Sequence, residues 1–215
     1  MSGADLRLGI VISGRGGNML AIARSCADKK IGAQVAVVVA DRHEAGGIRS
    51  ARELGLTTAV VPVRECKDRD EFEAQLERVL NASEAQLIIL AGFMRILSSE
   101  FTARFAGRML NIHPSLLPKY PGLRTHERAI QAGDATAGCS VHLVTGDLDA
   151  GPLIAQARVP VLAGDTPATL SARVQQQEHI LYPLVIGWIA AGRLQLDGDT
   201  PALDGRPLLE PVIAA

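Results

Sequence analysis

A repeating rhythm constrains this chain more than any other feature. Short aliphatic runs, mostly without polar alternation, are separated from one another by amphipathic stretches of helical length. Leu6–Ile12, Gln34–Ala40, Thr58–Val61, Leu87–Leu90 and Met109–His113 are predicted strands. Met19–Ala27, Gly47–Leu54, Asp68–Asn81 and Ser98–Phe105 are predicted helices between them. In Asp68–Asn81, Phe72, Leu76, Val79 and Leu80 recur at i, i+4, i+7 and i+8, the spacing of one helix face. Ser98 is a ready N-cap, because its hydroxyl can accept from a first-turn N–H. Strands that are apolar throughout must be covered on both faces, so the rhythm dictates an α/β, Rossmann-like fold. Its sheet is mostly parallel and twisted, with helices on both faces. Ligands in such folds gather at the carboxyl ends of the strands.

The second half breaks the rhythm. Pro114–Gly122 is a Pro-rich loop and Thr125–Ala132 a helix. Gly138–Val144 and Leu153–Val159 are strands flanking a turn, the antiparallel addition to the sheet. A long helix is predicted from about Thr166 to Ala191, kinked near Pro183, where a backbone donor is lost. The Gly/Pro/Asp-rich tail after Gly192 reads as short edge structure. No internal repeat or low-complexity block interrupts the 215 residues.

Charge and composition narrow the function classes. The chain carries 22 Lys+Arg against 23 Asp+Glu and only 3% aromatics. That balance argues against a dedicated nucleic-acid or membrane-surface binder, and the aromatics are too few for a base-stacking platform. Cys26, Cys66 and Cys139 are far apart and odd in number, which argues for a reducing compartment and against a disulfide framework. The start, Met1–Arg7, lacks the basic and apolar regions of a secretory signal. The longest apolar run, Ile180–Ala191, is broken by Pro183 and Gly187 and falls short of the roughly 18 residues a spanning helix needs. The expected location is cytoplasmic.

Two polar features stand out against this apolar frame. The turn Ser13-Gly14-Arg15-Gly16-Gly17-Asn18 sits between the first strand and first helix. Glycines there let backbone N–H groups approach an anion at a helix N-terminus, which suits a single phosphate. It is not a P-loop, and Met19 occupies the third-glycine position of a dinucleotide fingerprint. The alternative is a plain tight turn.

In Met109–His113, Asn111 and His113 share one face of the strand, and Pro114 ends it, so both side chains sit at the carboxyl rim. An Asn amide can donate to a developing oxyanion, and an imidazole can give or take a proton near neutral pH. Asp149, in the turn Asp147-Leu148-Asp149-Ala150-Gly151-Pro152, would favour the imidazolium if placed beside His113. His43, His126, His142 and His179 show no metal-ligand spacing, and no metal is implied.

Taken together, Asn111-Ile112-His113-Pro114-Ser115-Leu116-Leu117-Pro118, Lys119-Tyr120-Pro121-Gly122 and Leu148-Asp149-Ala150-Gly151-Pro152 resemble the folate-dependent formyltransferases. The Ile12–Asn18 turn, Ala91-Gly92-Phe93-Met94-Arg95-Ile96-Leu97 and Val174-Gln175-x-Gln177-Glu178-His179 resemble the branch that formylates a phosphoribosylglycinamide. The resemblance covers nearly the whole chain. It implies one formyltransferase domain over 1–215, with 1–105 as a phosphate-binding half and 106–215 as a catalytic and folate half. It implies 10-formyltetrahydrofolate as co-substrate, a small ribonucleotide as acceptor, and leaves a homodimer open. Asn111, His113 and Asp149 match the catalytic positions; Gly16, Gly17, Asn18, Gln175 and Glu178 match substrate-binding positions.

By the same resemblance the folate site takes Arg69, Met94, Arg95, Ile96, Leu97, Asn111, Thr145, Gly146, Asp147 and Leu148. Spacing alone would put Gln175 and Glu178 on an exposed helix face, and Arg69 and Arg95 at solvated helix ends. Two residues depart from some relatives: Phe72 stands where a tyrosine is expected, and Gly146 where an acidic residue is. Methionyl-tRNA formyltransferase and formyltetrahydrofolate deformylase are the rival readings within the resemblance, both usually carrying an additional domain. A dinucleotide-binding module, with Asp41 as the ribose acid, is the rival from another class.

Overall fold

A computed structural model describes residues 5–196 and 200–214, so the first four residues of the Met1–Arg7 reading and part of the tail lie outside the described residues. The strands are β1 (Leu6–Ile12), β2 (Ala33–Ala40), β3 (Thr58–Val60), β4 (Leu87–Leu90), β5 (Met109–His113), β6 (Thr136–Leu143) and β7 (Leu153–Pro160). The helices are α1 (Gly17–Ala27), α2 (Gly46–Glu53), α3 (Arg69–Ala82), α4 (Ser99–Arg104), α5 (Thr125–Gln131) and α6 (Pro167–Ala190). In the tail, β8 (Leu194–Gln195), β9 (Ala202–Leu203) and β10 (Arg206–Pro207) form a small antiparallel sheet. The last strand, β11 (Val212–Ala214), joins the main sheet instead, parallel to β7.

Among the described residues, eight strands form the main sheet in the order β11-β7-β6-β5-β4-β1-β2-β3. Strands β3, β2, β1, β4 and β5 pair in parallel, and β6 is antiparallel to both β5 and β7. The chain winds outward through β2 and β3, then crosses β1 to place β4 on its other side. The loops after β1 and β4 therefore diverge at a switch point, where a crevice opens.

The apolar strands divide their side chains between two cores with period two. Leu8, Ile10 and Ile12 of β1 pack with Met19, Ile22, Ile48, Val174 and Tyr182, under α1, α2 and α6. Val11 packs on the opposite face with Phe72, Leu76, Leu80 and Phe101, under α3 and α4. Leu110 and Ile112 of β5 belong to the first core and Met109 to the second. Asn111 and His113 follow Met109 on the second face, at the rim.

The predicted strands Leu6–Ile12, Leu87–Leu90 and Met109–His113 match the structure residue for residue. The first hairpin strand starts earlier than predicted, at Thr136, because its pairing with β7 runs out to Pro160. Helix α6 continues unbroken through Pro183, which is buried within it. Its packed face holds the helix together past the missing donor. No helix among the described residues is long and apolar enough to cross a membrane.

Tyr182 on α6 is fully buried, and its hydroxyl reaches the carbonyls of Leu90 at 3.1 Å and Leu110 at 3.0 Å. One phenol thus ties the long helix to two adjacent strands that carry the rim. Tyr182→Phe is expected to lower the unfolding free energy by about 1 kcal/mol, the usual net worth of such a bond. A urea titration with an unchanged midpoint would show that the hydroxyl contributes nothing.

Candidate active site

The rim cluster begins with His113, whose side chain is only 7% exposed. Its Nδ1 lies 3.3 Å from Asp149 Oδ2, and its Nε2 lies 2.9 Å from the carbonyl of Tyr120. Both neighbours are acceptors. A neutral imidazole has one N–H and can serve only one of them, whereas the cation serves both. Asp149 is held in turn, since its Oδ2 accepts from the Gly122 N–H at 2.8 Å.

His142 completes the cluster and lies directly opposite Asn111 in the antiparallel β5–β6 register. Burial pushes its pKa down, against the opposing pull of the Leu143 carbonyl and Asp149, so the ring is neutral. Nδ1 donates to the Leu143 carbonyl at 2.8 Å, which leaves Nε2 as an acceptor. The Asn111 Nδ2 donates to that nitrogen across 3.1 Å. The contact fixes which way the amide points and leaves its second N–H unused. Spacing could not reveal His142; only the strand register brings it to Asn111.

A buried network pins the Pro-rich loop that carries Tyr120. Ser140 Oγ donates to the Ser115 carbonyl at 2.7 Å and accepts from the Leu117 N–H at 3.0 Å. Gln156 Nε2 donates to the Leu117 carbonyl at 2.8 Å and lies 2.9 Å from Ser140 Oγ. The Leu117–Pro118 peptide is cis. Lys119 and Tyr120 both reach Asp134, at 2.9 and 2.8 Å. These bonds hold the Tyr120 carbonyl, and through it the His113 ring.

A cleft open to solvent lies beside the cluster. Arg95, Ile96, Leu97, Asn111 and residues 145–149 line it, together with Phe93 and His142, which sequence reasoning did not assign. Phe93 stacks on the buried Phe72 with centroids 6.4 Å apart, so the aromatic at position 72 backs the cleft wall. Gly146 leaves no room for a side chain, since a Cβ there would come within 2.9 Å of Ser99 Oγ. Two predicted folate positions lie off this wall. Arg69 opens α3 and is exposed, and Met94 is 66% exposed. Arg95 is not a freely solvated helix-end charge, because its Nε donates to the buried Asp41. Asp41 is consequently engaged by arginine and is no ribose acid of a dinucleotide site.

The glycine turn stands across the switch point. Gly16 adopts φ 77°, and its Cα would sit 3.1 Å from a Cβ on Gly47, so the turn and α2 meet backbone to backbone. That contact replaces the close packing of the third fingerprint glycine, and Met19 is fully buried in the core. Gly17 faces α6: a Cβ there would lie 2.9 Å from His179 Nε2 and 3.3 Å from Gln175 Nε2. Asn18 Nδ2 donates to Glu178 Oε2 at 2.8 Å. Glu178 is thus buried against the turn, not on an exposed helix face. Asn18 Oδ1 and His179 Nε2 are buried without a hydrogen-bond partner among the described residues. Buried polar atoms of this kind call for a partner from outside the chain, water or ligand.

Sheet order and rim cluster together define a Rossmann-like α/β protein with an acid–base pair at the strand ends and a glycine turn beside it. The sequence profile described as Formyl transferase matches residues 6–186. The chain belongs to the formyl transferase family. It is 46% identical over 199 residues to the phosphoribosylglycinamide formyltransferase of Escherichia coli (strain K12), covering 93% of this chain and 94% of that one. The solved structure of the phosphoribosylglycinamide formyltransferase from Coxiella burnetii superposes with a TM-score of 0.93 at 44% identity, covering 98% of this chain and all (100%) of that one. The structure of glycinamide ribonucleotide transformylase 1 from Symbiobacterium toebii gives a TM-score of 0.89 at 41% identity, covering 94% of this chain and 95% of that one.

The burial of Glu178 has a measurable consequence. Burial pushes its carboxyl pKa up, more than the Asn18 amide pulls it down. The folded state then holds this proton more tightly than the unfolded state, so the contribution of Glu178 to stability falls as pH rises through that window. Glu178→Gln is expected to stabilise the ligand-free protein at neutral pH and to lose that advantage below the ordinary glutamate range. Denaturant titrations at pH 4 and pH 7 with the same difference from the unsubstituted chain would contradict this.

Proposed function

We propose that this protein transfers the formyl group of 10-formyltetrahydrofolate to the amine of 5'-phosphoribosylglycinamide, yielding formylglycinamide ribonucleotide and tetrahydrofolate in de novo purine biosynthesis. The observation that carries the reading is the His113 ring held between the Asp149 carboxylate and the Tyr120 carbonyl, with the Asn111 amide oriented beside it at the mouth of the cleft. The names of the relatives over nearly their full length support formyl transfer to the same acceptor.

The neutral substrate amine attacks the formyl carbon, and the carbonyl oxygen becomes an oxyanion. The unused Asn111 N–H donates to that charge, and His113 adds a second donor when its Nε2–H turns from the Tyr120 carbonyl, with Asp149 orienting the ring. Collapse breaks the bond to the folate nitrogen. One proton leaves the attacking amine and one reaches the departing nitrogen, so the reaction needs no net proton. Gly16, Gly17 and Asn18 hold the phosphate through backbone N–H groups at the α1 N-terminus. Gln175 and Glu178 take the ribose end. The flat pterin lies in the cleft formed by Ile96, Leu97, Thr145, Gly146, Asp147 and Leu148, with Arg95 and the outlying Arg69 and Met94 toward its tail.

In this reading residues 1–215 are one formyltransferase domain, with the phosphate-binding half in 1–105 and the catalytic and folate half in 106–215. The division is not strict, because the 91–97 loop walls the folate cleft. Both partners are small molecules, with neither nucleic acid nor membrane involved. The free thiols of Cys26, Cys66 and Cys139 agree with a cytoplasmic location.

Purified protein given both substrates should release tetrahydrofolate, with or without chelator; no turnover with fresh substrates would overturn the proposal. His113→Ala should lower kcat on the order of 100- to 1,000-fold while the fold is retained, as for loss of an oxyanion donor. Asp149→Asn keeps the size but removes the carboxylate charge that orients the His113 ring, so kcat should fall while the fold is retained. An unchanged kcat in Asp149→Asn would separate Asp149 from His113.

A further inference from the structure

Asp41 follows β2 at the carboxyl rim, between the glycine turn and the 91–97 loop. Its side chain has 0% exposure, which for a carboxylate demands compensation by charge and hydrogen bonds. Arg42 Nε reaches Oδ1 at 3.0 Å, and Arg95 Nε reaches Oδ2 at 2.8 Å. Burial pushes the carboxyl pKa up, but the two arginines and the Ser13 hydroxyl outweigh it, so the group stays ionised at neutral pH. Two guanidinium groups thus share the one buried carboxylate.

The way Arg95 is held matters more than the pairing itself. Its backbone is fixed next door, because the Met94 N–H donates to Ser13 Oγ at 2.9 Å. Its side chain is clamped at Nε alone. Among the described residues, neither terminal nitrogen of Arg95 has a hydrogen-bond partner, and the residue lines the cleft. A guanidinium gripped at Nε presents its two remaining nitrogens as a planar fork, the shape that pairs bidentately with a carboxylate. We propose that Asp41 is a positioning residue that presets the Arg95 fork for a carboxylate of the folate glutamate tail. This rests on the formyl-transfer reading, which supplies folate as the donor. Arg69, the other arginine assigned to the tail, is exposed at the start of α3 and has no such clamp among the described residues.

The test compares tetrahydrofolate with its glutamate dimethyl ester, which keeps the shape and removes the charges, by calorimetry on the full chain. Asp41→Asn keeps the size and an acceptor oxygen but loses the charge. It should weaken tetrahydrofolate binding about tenfold, as for loss of an oriented charge-assisted pair, and leave the ester within about twofold. In turnover, KM for the formyl donor should rise, while kcat and KM for the ribonucleotide move little. Arg95→Lys retains a cation without Nε or the fork and should show the same ester-dependent loss, which keeps the proposal testable if Asp41→Asn folds poorly. The double variant should be no worse than either single one. Equal weakening of acid and ester, or undiminished tetrahydrofolate binding by folded Asp41→Asn, would overturn the role of Asp41, as would undiminished binding by Arg95→Lys. Failure of the unsubstituted protein to bind tetrahydrofolate would overturn the formyl-transfer reading and this inference with it.

Discussion

The Asp149 carboxylate is the point on which the rim depends. It sits in a turn with φ 51°, an uncommon backbone state for a residue with a side chain. From there one oxygen meets His113 at 3.3 Å and the Gly122 N–H at 2.8 Å, and the other lies 3.7 Å from His142. Four separate segments, β5, β6, the Pro-rich loop and the β6–β7 turn, are thereby registered against one anion. At 8% exposure of the side chain the charge is largely desolvated, so its contacts with the His113 ring and the Gly122 N–H are stronger than at a surface and the loss of either costs more.

Polar groups that would be expensive in isolation are arranged in closed sets. Ser140, Gln156 and the loop carbonyls satisfy one another behind His113. On the far side of the sheet's switch point, Glu73 accepts from the Ser98 N–H at 2.7 Å and from its hydroxyl, pinning the end of the 91–97 loop at the start of α4. The Asp41 carboxylate is closed off in the same way by Arg42 and Arg95, although Arg95 keeps its two terminal nitrogens unpaired among the described residues. Among the described residues, the two buried side-chain atoms without partners, on Asn18 and His179, lie together where the glycine turn meets α6. The molecule is saturated where it positions groups and open where the proposed ribonucleotide would complete it.

Much of this was legible in the residues. The alternation of apolar runs with amphipathic stretches placed the parallel strands, and the i, i+2 rule put Asn111 and His113 on one face at the rim. The motifs carried the resemblance on which the remaining site residues rested. What stayed hidden depends on contacts between distant segments. His142 becomes a partner of Asn111 only through the antiparallel register 31 residues away. Glu178 looks like a surface residue by spacing, yet it bonds Asn18 across 160 residues. Arg95 reads as a solvated charge until Asp41, 54 positions earlier, is placed beneath it.

The sequence by itself determined the α/β class, the strands that build the sheet, and the chemistry available at the rim, because periodicity and residue type act locally. The tertiary structure alone decided which side chains meet: the His113–Asp149 and Asn111–His142 pairs, the Asp41 clamp on Arg95, and the displacement of Arg69 and Met94 from the cleft wall. Those outcomes follow from strand register and loop path, which depend on the packing of the whole sheet and leave no trace in the spacing of the residues concerned.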